Sequence, residues 1–381
     1  EDGTVEATNW MWRDVINAAN VNSFDDTIEF NIGSSTPTIA IGATGLPTIT
    51  QPVTINGNTG GATRVELNGT GTGANVNGLK ITGGSSTIRN LVINRFGDDG
   101  IEINTGGSNV VEGCYIGFAS DGATKQTNLD GIYIFNSSNN TIGGTTSATR
   151  NLITGSRDGI FLDATTTTTG NVIQGNYIGT DVSGTLARGG SGAGIGIYYS
   201  DGNTIGGTAS GAGNVIVDFS GYGIDTSYAD SNFIQGNIIG LAANGSTALQ
   251  NYSGGIELLD SMFNTIGGTT HTANTCDGAC NLIAGNGGEG IFISGSVSSD
   301  NNVVQGNFIG TDKTGTLDRG NTDDGIWISG GTGNTIGGAA SGAGNVISGN
   351  NSDGIRLSGT STTSNQIQGN YIGTSANGAA D

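Results

Sequence analysis

Two acidic pairs, Asp98-Asp99 and Asp323-Asp324, each stand directly ahead of a Gly-Ile step. Paired carboxylates can hydrolyse glycosides, one protonating the leaving oxygen while the other attacks or activates water, when they lie about 5 to 9.5 Å apart. The same Asp-Gly step recurs at Asp130, Asp158 and Asp353, where a carboxylate bonding to the backbone of a turn explains it. No base, acid and orienting group gather around either pair, and the single histidine, His271, lies in a variable loop, so no catalytic residue is assigned. Oxygen ligands for a cation are the second chemistry. Asp181 and Asp312 open the matching loops TDVSGT (180–185) and TDKTGT (311–316), and Asp121 lies in FASDGAT (118–124). On a common side these three would offer oxygens to Ca²⁺, the one cofactor the sequence suggests, although solvated turns are the plainer reading of loops so poor in carboxylates.

Cys276 and Cys280 share the loop TCDGAC, while Cys114 stands alone where sister segments carry Asn. Zinc wants four ligands and only His271 is at hand, so a Cys276–Cys280 disulfide is expected ahead of free thiols or a metal. It would imply an oxidising, extracellular compartment. Asn-x-Ser/Thr sequons begin at Asn68, Asn136, Asn139, Asn244, Asn251 and Asn350 and are candidate glycan acceptors on a secreted chain.

These residues sit on a repeat. GNVIQGNYIGT at 170–180 returns as SNFIQGNIIG (231–240), NNVVQGNFIG (301–310) and SNQIQGNYIG (364–373), with a worn copy, SNVVEGCYIG, at 108–117. NTIGG begins at Asn140, Asn203, Asn264 and Asn334, intervals of 63, 61 and 70 residues. The long interval holds the loop of Cys276 and Cys280, as Asn264 to Asn281 spans 17 residues where the other equivalents span 11. A third phrase, Gly-Ile-x-(Ile/Leu/Tyr/Thr), opens almost every unit, as at Gly100, Gly131, Gly159, Gly223, Gly255, Gly290, Gly325 and Gly354. Insertions confined to one loop of a repeating unit are what a stacked solenoid tolerates.

Each unit offers short strands in which Ile, Val or Leu alternates with Asn, Thr, Ser or Gln, so one side chain points inward and the next outward. No coil buries its isoleucines alone, but coils stacked at about 4.8 Å do so together. The spacing predicts an all-β fold, a right-handed parallel β-helix of roughly 11–12 coils, about 55 Å long at that rise. A β-propeller needs longer antiparallel strands and more aromatics than the 6% present. Asn171, Asn232, Asn302 and Asn365 recur at one turn and are expected to bond to each other in left-handed conformations. Residues 1–32 read as an N-terminal cap: a possible strand, then a helix with Trp12, Val15, Ile16 and Ala19 on one face. Residues 33–77 read as irregular first coils and 78–381 as the regular repeats.

Net charge is −20 with 12 Lys and Arg, which argues against nucleic-acid partners and anionic membranes, and no segment approaches the 18 apolar residues of a membrane span.

The pattern NTIGG…GNVISGN…DGI…QGNYIGTD resembles bacterial right-handed parallel β-helix repeat proteins of the cell surface, and WRDVINAANVNSFDDTIEFNI (12–32) is similar to the CSLREA-type segment that often precedes such repeats. The leading Cys-Ser-Leu is absent; Asn9 to Trp12 stand there instead. The resemblance covers nearly the whole chain and implies a secreted or surface location and no defined catalytic residues. The primary expectation is therefore a non-enzymatic, structural or adhesive β-solenoid of a cell surface or fibre. At its C-terminal edge Ile355, Leu357, Ile367 and Ile372 would meet Trp10 and Trp12 of another copy, joining rods end to end into a filament. The alternative is a carbohydrate-binding or polysaccharide-cleaving β-helix with glycans as partners. The surface aromatics Tyr133, Tyr198, Tyr199 and Trp327 discriminate between the two: dispersed, they favour the structural role; gathered, they favour sugar.

Overall fold

The computed structural model describes residues 4–6, 12–21, 25–166, 168–295 and 298–379. Every strand pairs in parallel with its counterparts one coil before and after, in three sheets of 13, 12 and 10 strands among the described residues. The chain is a right-handed parallel β-helix. The two interleaved phrases prove to be successive rungs of one sheet: Thr141–Gly143, from NTIGG, lies between Val110–Glu112 and Val172–Gln174, from the QGN phrase. Residues 33–77 belong to the same stack, with Thr38–Ala40 pairing in register with Val65–Asn68.

Alternation sets what is inside. Ile142, Ile173, Ile205 and Ile234 fill the core from the thirteen-stranded sheet, Ile153, Ile178 and Ile216 from the twelve-stranded sheet, and Ile132, Ile160 and Ile195 from the ten-stranded sheet, all fully buried. A continuous apolar column results, at about 25 cal/mol for each Å² withdrawn from water. The helix Trp12–Ala19 lays Trp12, Val15, Ile16 and Ala19 against the first coil, Trp12 meeting Phe30 with ring centroids 4.9 Å apart. Asn20 ties its end down, donating from Nδ2 to the Thr48 carbonyl at 2.7 Å and accepting from the Thr50 amide at 2.8 Å.

At the turns, the asparagine ladder differs from the sequence reading. Asn171 and Asn232 are not neighbours; Asn203 stands between them. The run is Asn109, Asn140, Asn171, Asn203, Asn232, Asn264, Asn302, Asn334 and Asn365, each amide N–H donating to the Oδ1 of the next. Nor are these asparagines left-handed. The positive φ falls one residue earlier, on Ser108, Asn139, Gly170, Gly202, Ser231, Phe263, Asn301, Gly333 and Ser364. The reason is geometric: the preceding residue makes the turn, leaving the asparagine to bond up and down the stack. A second ladder, Asn151–Asn176–Asn214–Asn237–Asn281–Asn307–Asn345–Asn370, lines another corner, and the Cys114 amide donates to Asn151 at its head.

Candidate functional site

Register determines which outward side chains become neighbours. On the ten-stranded sheet, the residue between the two inward apolar positions of each strand forms one column across the coils: Lys80, Glu102, Tyr133, Phe161, Gly196, Asp225, Glu257, Phe292, Trp327 and Arg356. At about 4.8 Å per rung, it is an elongated strip of aromatic, acidic and glycine positions parallel to the axis of the stack. Tyr133 stacks on Phe161 (centroids 5.6 Å, planes 12° apart), and Tyr198 meets Phe161 edge-on at 5.0 Å. Further along, Phe292 stacks on Trp327 at 4.5 Å and the Arg356 guanidinium lies 4.5 Å from the same indole. Tyr199 and Tyr228, at the adjoining turn, stack at 5.2 Å and are exposed.

Two glycines let rings lie flat on the sheet. A Cβ on Gly196 would stand 2.7 Å from Phe161 Cδ2, and one on Gly254 would stand 2.5 Å from Tyr222 Cε1. Between those rings opens a cleft of about 480 Å³, lined by Phe161, Tyr198, Tyr222, Arg157, Asp158, Asp225 and Glu257 together with small residues. Asp225 and Glu257 are partners on adjacent rungs. Tyr198 Oη donates to Asp225 Oδ2 at 3.0 Å. Burial raises the Asp225 carboxyl above its usual range, with the Tyr198 hydrogen bond opposing the rise. Burial, then the neighbouring charges of Asp225 and Glu289, push Glu257 up to about 7. Two acids on one wall are thus held unequally.

The Asp98-Asp99 pair lies on the same face. Asp99 is pushed up to about 8, by burial first and then by Asp130 and Asp98. Lys80 Nζ pairs with Glu102 Oε1 at 2.8 Å. Arg157 is engaged on both sides, its Nε lying 2.9 Å from Asp130 Oδ1 and 3.0 Å from Asp158 Oδ2. At the other end Asp324 is buried and accepts from the Asp353 amide at 2.8 Å, while Asp323 stays at the turn.

The other residues singled out in the sequence fall elsewhere. Asp121, Asp181 and Asp312 are each taken up by their own loops. Asp121 accepts from the Ala123 and Thr124 amides at 2.9 Å, and hydrogen bonds led by the Thr124 side chain hold it below the usual carboxylate range. Asp181 accepts from the Thr185 and Leu186 amides, and Asp312 from those of Thr316 and Leu317. Burial raises both acids, but hydrogen bonds, from Ser183 for Asp181 and from Thr316 for Asp312, outweigh it and leave both low. The loops do stack, through Val182 N to Gly122 O and Ala243 N to Gly184 O. Asp181 and Asp312 nevertheless hold equivalent places in loops separated by a third, whose matching residue is Ala242. Among the described residues no three acidic, His or Cys groups gather as a metal cluster.

Cys276 and Cys280 form a disulfide, and Cys114 is buried, its thiol pushed up to about 12 by desolvation. Asn251 is fully buried, its Nδ2 donating to the Ile216 carbonyl, so this sequon is closed to a glycan. Asn139 and Asn244 are exposed, and Asn68, Asn136 and Asn350 are half-buried. Trp12 packs inward rather than toward a joint, and Trp10 lies outside the described residues. Leu357, Ile367 and Ile372 are exposed and Ile355 half-buried on the last strands of the three sheets.

No family model matches the chain, and no curated protein resembles it in sequence at a significant level. Among solved structures it is similar to the DFA-IIIase of Arthrobacter chlorophenolicus A6 (12% identity, TM-score 0.47, covering 100% of this chain and 97% of that one). It is also similar to the mannuronan C-5 epimerase AlgE6 A-module of Azotobacter vinelandii (14%, 0.43, 91% and 80%). The Dettilon tailspike protein is a third (16%, 0.43), where the match covers 92% of this chain and 66% of the tailspike.

Proposed function

We propose that the chain binds a carbohydrate lengthwise along the outward face of its ten-stranded sheet. One observation carries this reading: aromatic residues from separate coils gather on consecutive rungs of one face, as Tyr133–Phe161–Tyr198 and as Phe292–Trp327. A pyranose ring presents an apolar C–H surface that settles on the negative face of an aromatic ring, while its hydroxyls donate to carboxylates beside it. Glu102, Asp225 and Glu257 stand in the same column. Cross-strand ring pairs also stabilise the sheet, but their gathering with carboxylates along one half-exposed face favours a carbohydrate role over a purely structural one. The Cys276–Cys280 bond supports a location outside the reducing cytoplasm, as on a cell surface or in a secretion.

The test is a glycan array with the purified chain, followed by calorimetry on the glycans retained. Retention of at least one soluble polysaccharide, weakened about fivefold or more by Phe161→Ala, is expected, since a stacked ring contributes about 1 kcal/mol or more. Absence of binding across the array would sink the proposal.

A further inference from the structure

We propose that the Asp225–Glu257 pair cleaves an uncharged glycan bound on this face, Glu257 protonating the glycosidic oxygen and Asp225 attacking the anomeric carbon. This rests on the face being a saccharide site. The two acids come from coils that are adjacent in space, at equivalent outward positions, in a cleft of the aromatic strip whose floor is a flat ring, Phe161 over Gly196. Their backbones are about one rung apart, so the two carboxyls project side by side from one face and can approach the ~5–5.5 Å separation of retaining glycosidases.

Position divides the roles. Tyr198 donates to Asp225 Oδ2, which favours the carboxylate against the burial that raises it and leaves Oδ1 to attack. The Glu257 carboxyl accepts no hydrogen bond among the described residues, and burial together with Asp225 and Glu289 raises it to about 7, so a protonated fraction is present at neutral pH. In the first step the C1–O bond breaks and its electron pair goes to the leaving oxygen, which takes the Glu257 proton, while an Asp225 oxygen bonds to C1. In the second, water attacks C1, gives its proton to Glu257 and releases Asp225. Water is consumed, and the new hemiacetal keeps the anomeric configuration of the bond that was cut.

Charge selects the substrate class. Arg157, the cation lining the cleft, is already paired with Asp130 and Asp158. A uronate chain would meet Asp158, Asp225 and Glu257 with no free cation among the described residues lining the cleft to receive its carboxylates, so a neutral glycan fits and a polyuronate does not.

The experiment uses whichever of xylan, galactomannan, mixed-linkage glucan and dextran is bound in the array. It reads reducing ends, and the anomer first formed by NMR. Hydrolysis with retention is expected. Glu257→Gln should lower it about 10²–10⁴-fold. The loss should be smaller on an aryl glycoside whose leaving group needs no proton, a difference that a merely structural role would not produce. Asp225→Asn should abolish turnover while leaving binding in place, and Asp121→Asn, in a remote loop, should change nothing. The rate should follow a bell in pH set by Asp225 and Glu257, with Asp158, Arg157, Tyr198, Tyr222 and Glu289 as the facing groups. Inversion, or no hydrolysis of a glycan that does bind, overturns the catalytic inference and leaves the binding reading standing. No binding overturns both.

Discussion

Replacing Asn203 by alanine removes one rung from the middle of a nine-residue ladder, and its cost can be worked from the bonds that rung makes. Asn203 Oδ1 accepts from the Asn171 amide at 3.1 Å and from Asn171 Nδ2 at 3.0 Å. Its own Nδ2 donates to Asn232 Oδ1 and Ser200 Oγ, both at 3.0 Å. All of these groups are buried. In the variant, Asn171 Nδ2 keeps the Ser137 carbonyl as a partner at 3.1 Å, but the Asn171 amide has nowhere to go. One orphaned buried N–H costs about 1–3 kcal/mol and the lost bonds about 1 kcal/mol net, for a total near 3 kcal/mol. The same change at Asn365, the half-buried last rung, removes the acceptor of the Asn334 amide at 2.8 Å and the Nδ2 donor to the Gly331 carbonyl at 3.0 Å, both where water can replace them, for about 1 kcal/mol. Because coils couple only to their neighbours, the assay is amide exchange read at Asn171 alongside urea unfolding. Protection at Asn171 should fall about 10²-fold in Asn203→Ala. Equal costs for Asn203→Ala and Asn365→Ala, or a cost below about 1 kcal/mol for the first, would refute the ladder as a source of stability.

Three further outcomes follow from the structure. Asp99 and Glu257 titrate higher folded than their ordinary values of 3.8 and 4.5, so the native state holds extra protons between about pH 4 and 8 and stability should fall as pH rises through that window. Melting temperature against pH checks this, and Asp99→Asn combined with Glu257→Gln should flatten the slope. Gly196→Val should lift Phe161 from the sheet, weakening glycan binding at least tenfold for a stability loss of about 1–3 kcal/mol, since only a side chain must give way; unchanged affinity by calorimetry would argue against a flat ring as the floor. Reducing Cys276–Cys280 opens a loop with a sequence separation of only 4, so unfolding should move by no more than about 2 kcal/mol and the circular dichroism of the stack should be unaltered.

The architecture was legible because it is a repeat: period-two alternation placed Ile142, Ile173 and Ile205 inside, and recurrence placed their strands one above another. The ladder was half legible. Sequence similarity groups Asn171 with Asn232, but the stack inserts Asn203, because the two phrases are alternate coils rather than parts of one. The site was hidden for a related reason. Its residues occupy the x of Gly-Ile-x, the one position the repeat leaves free, so Asp225 and Glu257 look unremarkable within GIDT and GIEL. Reading x down the aligned phrases would have shown Tyr133, Phe161, Asp225, Glu257, Phe292 and Trp327 as one column. Attention to doublets such as Asp98-Asp99 missed it, since partners on this face are neighbours in space and about 30 residues apart in the chain.

The central claim is that this column is a saccharide-binding surface. Calorimetry of the retained glycan against wild type, a Phe161→Ala/Trp327→Ala double variant and Phe233→Ala tests it most directly, because Phe233 is aromatic and more exposed than either but stands on the thirteen-stranded sheet. The account predicts that the double variant loses at least tenfold in affinity with its fold unchanged, while Phe233→Ala binds as wild type. Equal affinity in all three, or loss in Phe233→Ala alone, would contradict it.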